Sequence, residues 1–303
     1  MKQQAATQNR LRWHFDPFKN FRRKAPMEVI IHIAVAILFM AVALSYLYIF
    51  FWAVMAAVRT HTEIVMEPFA LPVEWHWEHF AEVFEKLTLS NGADFWDMLF
   101  NSLYFSVCAV GLQQFTTVTF AYCCTKYKFP GSSLVYPIII VMITLPLYGT
   151  SGAMYEVLKA FGMIDSYTHI FVSASGFSAT YLYYAAYFKN LSWTYAEAAM
   201  IDGANDFQIY LKVMFPQALP IFSALYLTGW LGVWNSYDSA LIYLPNLPTL
   251  PVGIYQFNTE MIYRARLDIL FAACVIISIP AIILFVAFNK LITSNVSLGG
   301  IKG

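Results

Sequence analysis

Six long apolar stretches constrain the fold of this 303-residue chain more than any other feature. A helix needs about 20 mostly apolar residues to cross a bilayer. The stretches that meet this requirement are 29–55, 99–125, 134–154, 167–188, 221–243 and 268–292. They predict an all-α polytopic membrane protein with six transmembrane helices. The fourth stretch contains several serines and tyrosines, so a re-entrant or interfacial segment is the alternative there.

The composition agrees with a lipid-facing bundle. Hydrophobic residues make up 59% of the chain and charged residues 12%, against roughly a quarter charged in a soluble domain. The net charge is zero, so no nucleic-acid partner is expected. All four cysteines lie in or beside apolar runs without histidine or carboxylate neighbours, which predicts small buried hydrophobic residues and no metal site. They are Cys108, Cys123, Cys124 and Cys274.

The distribution of lysine and arginine predicts the orientation. These residues crowd before the first stretch and lie between the second and third and after the sixth. Lys189 and Lys212 flank the polar part of 190–220, whereas the loop 59–97 is rich in acidic residues. Because basic loops stay in the cytoplasm, both termini and 190–220 are predicted to be cytoplasmic and 59–97 exterior. The predicted divisions are a basic N-terminal segment 1–28, a transmembrane domain 29–292 and a tail 293–303.

The exterior loop carries many aromatic residues. Within it, residues 78–86 have the pattern of a short amphipathic helix lying at the membrane interface. The aromatic residues fit two compatible interpretations, which are an anchoring belt at headgroup level and a contact surface for an external partner.

One polar interruption lies between the fourth and fifth stretches. Residues 194–201 are rich in helix formers. Gly203 can adopt positive φ and end that helix, and Asn205 or Asp206 can cap the next one. Pro216 is expected to end the second helix. The segment is therefore predicted to be a short helix-turn-helix.

The spacing within this segment follows a known motif. Glu197, Ala198 and Ala199 are followed after three residues by Gly203, and after nine more by the sequence Val-Met-Phe-Pro at 213–216. This resembles the signature loop of permease subunits of bacterial ABC importers, which reads Glu-Ala-Ala, three residues, Gly, nine residues, Ile-x-Leu-Pro. The departures are Val for Ile and Phe for Leu.

The resemblance implies a role for this loop. In that family it docks in a cleft of an ATP-hydrolysing subunit and transmits the closure of that subunit to the membrane helices. Small alanine side chains suit such docking because little side-chain entropy is lost. The predicted coupling residues are Glu197, Ala198, Ala199, Asp202, Gly203, Asp206 and Pro216.

Shorter matches extend the resemblance over nearly the whole chain to the carbohydrate branch, which includes the smaller maltose permease subunit. They lie at 100–103, 229–235, 248–253 and 299–303. The branch often has an acidic residue after its Trp-Asn pair, where this chain has Ser236.

The resemblance also implies an assembly in a bacterial cytoplasmic membrane. Its members would be a homologous second permease subunit, two ATP-binding-cassette subunits that hold ATP and Mg, and an external solute-binding protein. This chain would hold no cofactor and would contact membrane lipid. Its substrate would be an oligosaccharide or related carbohydrate, acidic saccharides included.

The fifth stretch contains the candidate substrate path. Asn235 and Asp238 are three residues apart and would share a helix face, beside a stripe formed by Trp230, Trp234 and Tyr237. Polar groups within spans usually face an interior path, and aromatic rings suit the C–H faces of sugars. Packing between helices explains each residue equally well.

Two other classes of function compete. A self-sufficient secondary transporter of a polar solute would show charged pairs within spans and inverted repeats, but the spans contain mainly Asp238 and no repeat. An intramembrane enzyme would show clustered catalytic groups, whereas His32 and His169 are isolated. The chain has no G-x-x-x-x-G-K motif, so ATP hydrolysis is expected only in a partner.

Overall fold

The computed structural model describes residues 26–89, 91–145, 150–264 and 266–296. The predicted segments 1–28 and 293–303 therefore lie largely outside the described residues. Within those ranges the regular structure is helical, without strands. The helices are α1 Pro26–Ala57, α2 His61–Met66, α3 Glu78–Lys86, α4 Phe95–Tyr104, α5 Val110–Lys126, α6 Ser132–Thr144, α7 Thr150–Ala160, α8 Thr180–Asn190, α9 Thr194–Ile201, α10 Asp206–Ile209, α11 Phe215–Asn235, α12 Asp238–Tyr243, α13 Leu250–Arg264 and α14 Leu267–Val296.

The chain divides into two units, residues 1–53 and 54–303. The described part of the first unit is the greater part of α1, which is apolar on every side. Its most apolar window has a mean hydropathy of 2.5, and none of that window is buried within the chain. A helix that is hydrophobic all round is suited to a lipid environment.

Four helical runs within the described residues are long and apolar enough to cross a membrane. They are Met27–Ala57, Phe95–Lys126, Asp206–Asn235 and Leu267–Phe288. Each overlaps one of the predicted stretches 29–55, 99–125, 221–243 and 268–292. The second and third runs each include a π turn, at Phe105–Ala109 and Tyr210–Met214.

The other two predicted stretches are not single continuous helices. In the third, α6 ends at Thr144 and the next described helix begins at Thr150. The fourth consists of a 3₁₀ segment, Tyr167–Ser173, and α8. Between these two parts, the Ser175 hydroxyl accepts a hydrogen bond from the backbone of Phe177 at 3.1 Å, which competes with helical pairing. Six membrane-crossing helices therefore stay a prediction.

Three apolar clusters lie among the described residues of the second unit, and the two larger ones position the candidate site. One joins α5, α8 and the segment from α9 to α11, with Tyr122, Phe188 and Tyr210 at its centre. Within it the Tyr184 hydroxyl donates to the buried side chain of Gln114 at 2.8 Å. The other cluster joins α3, α4, α11, α13 and α14 around a stacked tryptophan pair. The long helix that contains α11 contributes to both clusters.

Helix α3 coincides with the predicted amphipathic helix 78–86. Its buried residues, His79 and Val83, pack towards α14. The imidazole of His79 also lies 3.3 Å from the Asp268 carboxylate at the start of α14. The helix is therefore confirmed, and its location at the membrane interface stays a prediction.

Charged groups reinforce this contact between α3 and α14. Arg266 donates to Asp268 at 2.9 Å and to Glu82 at 3.1 Å. Glu82 also pairs with Lys86 one helical turn away. The hydrogen bond from Lys86, with a smaller contribution from Arg266, lowers the pKa of Glu82 although partial burial opposes the shift. The hydrogen bond to Asp268 raises the pKa of Arg266.

Candidate functional site

The turn between α9 and α10 is built around Gly203. Gly203 has φ +82°, the left-handed conformation that costs glycine least. The Gly203 N–H donates to Met200 O and the Ala204 N–H donates to Ala199 O, each at 3.0 Å. This pair of hydrogen bonds is a Schellman motif, which satisfies carbonyls at the end of α9. Gly203 therefore ends the helix as its sequence position predicts.

A capping box begins the next helix. The Asn205 side chain accepts from the Gln208 N–H at 2.9 Å, and the Gln208 side chain accepts from the Asn205 N–H at 3.1 Å. Of the two predicted caps, Asn205 is therefore the one used. Asp206 lies in the first turn of α10, where the helix dipole favours negative charge.

The helix-turn-helix has one buried side and one exposed side. Ala196 and Ile209 are fully buried in the first apolar cluster and fix the segment to α5 and α8. By contrast, Ile201 is 88% exposed, Phe207 70% and Tyr195 54%. These three exposed side chains, which we call the apolar tip, present hydrophobic surface around the turn. Such exposed apolar groups are typical of interaction sites.

The predicted coupling residues surround the apolar tip. Ala199 is half-buried, and the others are exposed. Those exposed residues are Glu197, Ala198, Asp202, Gly203, Asp206 and Pro216. Their side chains are therefore available to a partner.

The prediction that Pro216 ends the second helix is wrong. The helical run continues from Asp206 to Asn235 through the proline. A π turn at Tyr210–Met214 directly precedes Pro216, and its wider winding makes room where an α-turn would meet the proline ring. The Gln217 side chain donates to Val213 O at 3.0 Å, which satisfies a carbonyl in the altered turn.

Two polar contacts connect this segment to the C-terminal end of α5. The Tyr127 hydroxyl donates to Asp206 Oδ1 at 3.1 Å. Lys126 Nζ donates to Leu191 O at 2.6 Å, just before α9, and lies 5.9 Å from the centre of the Trp193 ring. The segment is therefore in contact with α5 as well as continuous with α11.

A cavity of about 530 Å³ lies at the other end of α11. Residues from α11, α13 and α14 line it, together with Tyr237 between α11 and α12. It falls in the range of about 300–1,000 Å³ typical of small-molecule sites. Of the predicted path residues, Trp234, Asn235 and Tyr237 line this cavity.

The other predicted path residues lie elsewhere. Trp230 is fully buried behind Trp234, with the ring centres 4.8 Å apart. Asp238 is outside the cavity lining and accepts from the Ser236 hydroxyl at 2.5 Å. The expectation that Asn235 and Asp238 share a helix face is wrong, because α11 ends at Asn235 and Ser236 has extended backbone. Asp238 begins the separate helix α12.

Sequence reasoning missed the part of the cavity that α13 contributes. Tyr255 stacks on Tyr237 with ring centres 4.7 Å apart and planes at 11°. Asn258 lines the cavity one turn further along α13. The segment 248–253 drew attention only through its family resemblance, and α13 is too short to appear as a span. Cys274 also lines the cavity and is exposed, which contradicts its predicted burial.

Comparisons with known proteins agree with this architecture. Residues 116–298 match the family described as "Binding-protein-dependent transport system inner membrane component". The Streptomyces coelicolor protein "Diacetylchitobiose uptake system permease protein NgcG" is 27% identical over 252 residues, or 82% of each chain. The Bacillus subtilis protein "Arabinooligosaccharides transport system permease protein AraQ" is 24% identical and covers 93% of this chain and 99% of its own.

A solved structure shares the fold. It is described as "Crystal structure of a bacterial ABC transporter involved in the import of the acidic polysaccharide alginate". The TM-score is 0.72 at 23% identity, over 88% of this chain and 98% of that one. The family match alone spans more than half of the present sequence. The chain therefore belongs to the binding-protein-dependent inner membrane components, the permease subunits of ABC importers.

Proposed function

We propose that this chain forms half of the translocation path of an ABC importer for an oligosaccharide, and that ATPase subunits drive it through the turn between α9 and α10. The observation that carries the proposal is the apolar tip. Ile201 and Phe207 stand exposed on a turn whose backbone is fixed by a Schellman motif and a capping box. Relatives named for oligosaccharide uptake support the substrate class.

The proposed assembly contains four further subunits or proteins of three kinds. A homologous permease completes the path, two ATP-binding-cassette subunits hold ATP and Mg, and a solute-binding protein delivers the sugar. The chain lies in a bacterial cytoplasmic membrane with six spans within 29–292. Both termini and the segment 190–220 face the cytoplasm, and the loop 59–97 faces outward. The four long apolar helices support this topology.

In this proposal the turn acts as the contact that receives force. The apolar tip enters a groove of the ATPase subunit, where burial of its side chains stabilises docking. The exposed coupling residues from Glu197 to Pro216 are accessible to the same partner. Closure of the ATPase subunits then moves the turn, and the contact between Tyr127 and Asp206 passes that movement to α5.

The cavity at the far end of α11 is the proposed sugar-facing part of the path. Trp234, Asn235 and Tyr237 line it. Trp230 supports Trp234 from behind, and Asp238 acts through the contact with Ser236 rather than by touching substrate.

The test is co-purification of the ATPase subunits with polar variants of the apolar tip, Ile201→Ser and Phe207→Ser. Burying an isoleucine or phenylalanine contributes about 1.5–3 kcal/mol, so each variant should bind the ATPase subunit roughly 10- to 100-fold more weakly and retain correspondingly less of it. Both side chains are largely solvent-exposed in the isolated chain, so the permease itself should keep its thermal stability.

Phe161→Ser is the matched control, because Phe161 is a phenylalanine of similar exposure on another part of the chain. It should retain the ATPase subunits at the wild-type level. Equal retention by the two tip variants and the control, with sugar uptake intact in all three, would contradict docking at this turn.

A further inference from the structure

The cavity between α11, α13 and α14 has a chemical character of its own. Among the described residues that line it, none is acidic or basic. The lining combines aromatic rings with amide and hydroxyl groups, represented by Trp234, Asn235, Tyr255, Asn258 and Ser278. A purely lipid-facing groove would not require two amides, because polar groups in contact with hydrocarbon are costly.

A pair of tyrosines forms a platform at the cavity. Tyr237 and Tyr255 stack at 4.7 Å and remain 42% and 44% exposed, so each ring has a free surface. The neighbouring Trp234 is fixed in place, because its Nε1–H donates to Ile277 O at 3.3 Å. The exposed tyrosine rings can pack against the apolar C–H face of a sugar ring, and the buried Trp234 supports the wall beside them.

The polar groups in the lining keep unused hydrogen-bonding capacity. The Asn235 amide donates one N–H to Leu231 O at 2.7 Å, which leaves its carbonyl oxygen and a second N–H. The Ser278 hydroxyl donates to Val275 O at 2.6 Å and keeps its oxygen as an acceptor. Sugar hydroxyls both donate and accept, so they can pair with such groups without any charge in the site.

The absence of charge among the described lining residues favours one class of saccharide. A uronic acid carries a carboxylate, and moving an ion into a poorly solvated site is costly unless a cation or several donors meet it. We propose that this cavity binds a neutral sugar unit and discriminates against the corresponding uronic acid. The inference rests on the proposed function, and it names the substrate class for this part of the path.

Cys274 supplies a native reporter for the test, because it is an exposed residue and lines the cavity. The complete complex with its partner subunits is treated with N-ethylmaleimide, and the alkylation rate of each cysteine is followed by mass spectrometry. Cys108 and Cys123 are outside the cavity lining and serve as internal controls. The probes are the matched pairs galactobiose with digalacturonate and mannobiose with dimannuronate, which differ only in oxidation at C6.

The proposal expects a neutral disaccharide to slow alkylation of Cys274 by about fivefold, which corresponds to a free-energy difference of about 1 kcal/mol. Its uronic acid partner should have no effect, and the control cysteines should react at unchanged rates. Tyr255→Ala should abolish the protection, and Tyr255→Phe should keep it because the ring remains.

Three results would overturn the proposal. They are protection by a uronic acid equal to that by its neutral partner, absence of protection by both neutral disaccharides, and unchanged protection in Tyr255→Ala. The measurement reports binding at the cavity and does not require ATP hydrolysis. Its failure therefore leaves docking at the apolar tip to be judged separately by co-purification.

Discussion

Replacing Gly203 by valine should uncouple ATP hydrolysis from uptake. Gly203 has φ +82°, and an added Cβ would have no atom within 4 Å. A side chain at this position would therefore cost free energy through backbone strain, because no neighbouring atom would collide with it. A residue other than glycine in the left-handed region costs roughly 1–2 kcal/mol. The ratio of chains with the intact turn to chains with an altered turn should therefore fall roughly 5- to 30-fold.

The assay compares sugar uptake with ATP hydrolysis in proteoliposomes that contain the complete importer. Gly203→Val should lower the number of sugar molecules imported per ATP hydrolysed. Gly203→Asn is the matched control, because asparagine tolerates positive φ better than other residues with a side chain. It should stay close to the wild type, and in both variants the permease chain itself should fold normally because position 203 is exposed.

The reasoning would be refuted if the valine variant coupled uptake to hydrolysis as well as the wild type. It would also be refuted if the asparagine and valine variants were equally impaired, because the loss would then follow from any side chain and not from the backbone.

Two further measurements test contacts on either side of the bundle. Tyr127→Phe removes the hydrogen bond to Asp206, worth about 1 kcal/mol, and should speed hydrogen exchange in α10 roughly fivefold; unchanged exchange would show that this contact does not hold the turn. Glu82→Gln tests the charge pairing with Lys86 and Arg266. The pKa of the Glu82 carboxyl is lowered in the folded chain. The charged carboxylate therefore stabilises the fold fully above the ordinary carboxyl pKa, and this stabilisation is lost as the pH falls through the lowered pKa. The melting temperatures of variant and wild type should differ at neutral pH and converge in acid, and a constant difference would refute this assignment.

The sequence alone was sufficient for features that depend on local chemistry. The stretches 29–55 and 268–292 appear as long helices because their apolar length is a property of the segment itself. The turn at Gly203 and the cap at Asn205 were predictable for the same reason, since both use hydrogen bonds within a few residues.

Other features depend on contacts and helix distortions in the folded chain, which a local sequence pattern does not show. Pro216 normally stops a helix, but a π turn and the Gln217 side chain accommodate it here. The end of α11 at Asn235 was missed because average hydropathy across 221–243 remains high through the break. Tyr255 could not be assigned to the cavity from the sequence, since only the folded chain brings it onto Tyr237.

The uninterrupted helical run from Asp206 to Asn235 has a geometric consequence. Its 30 residues extend about 45 Å. A tilt of about 10° around one end would sweep the other through about 8 Å, which exceeds the 5.4 Å pitch of a helix. Length alone would thus convert a small rotation at the turn between α9 and α10 into a displacement large enough to reshape the cavity at the other end of α11.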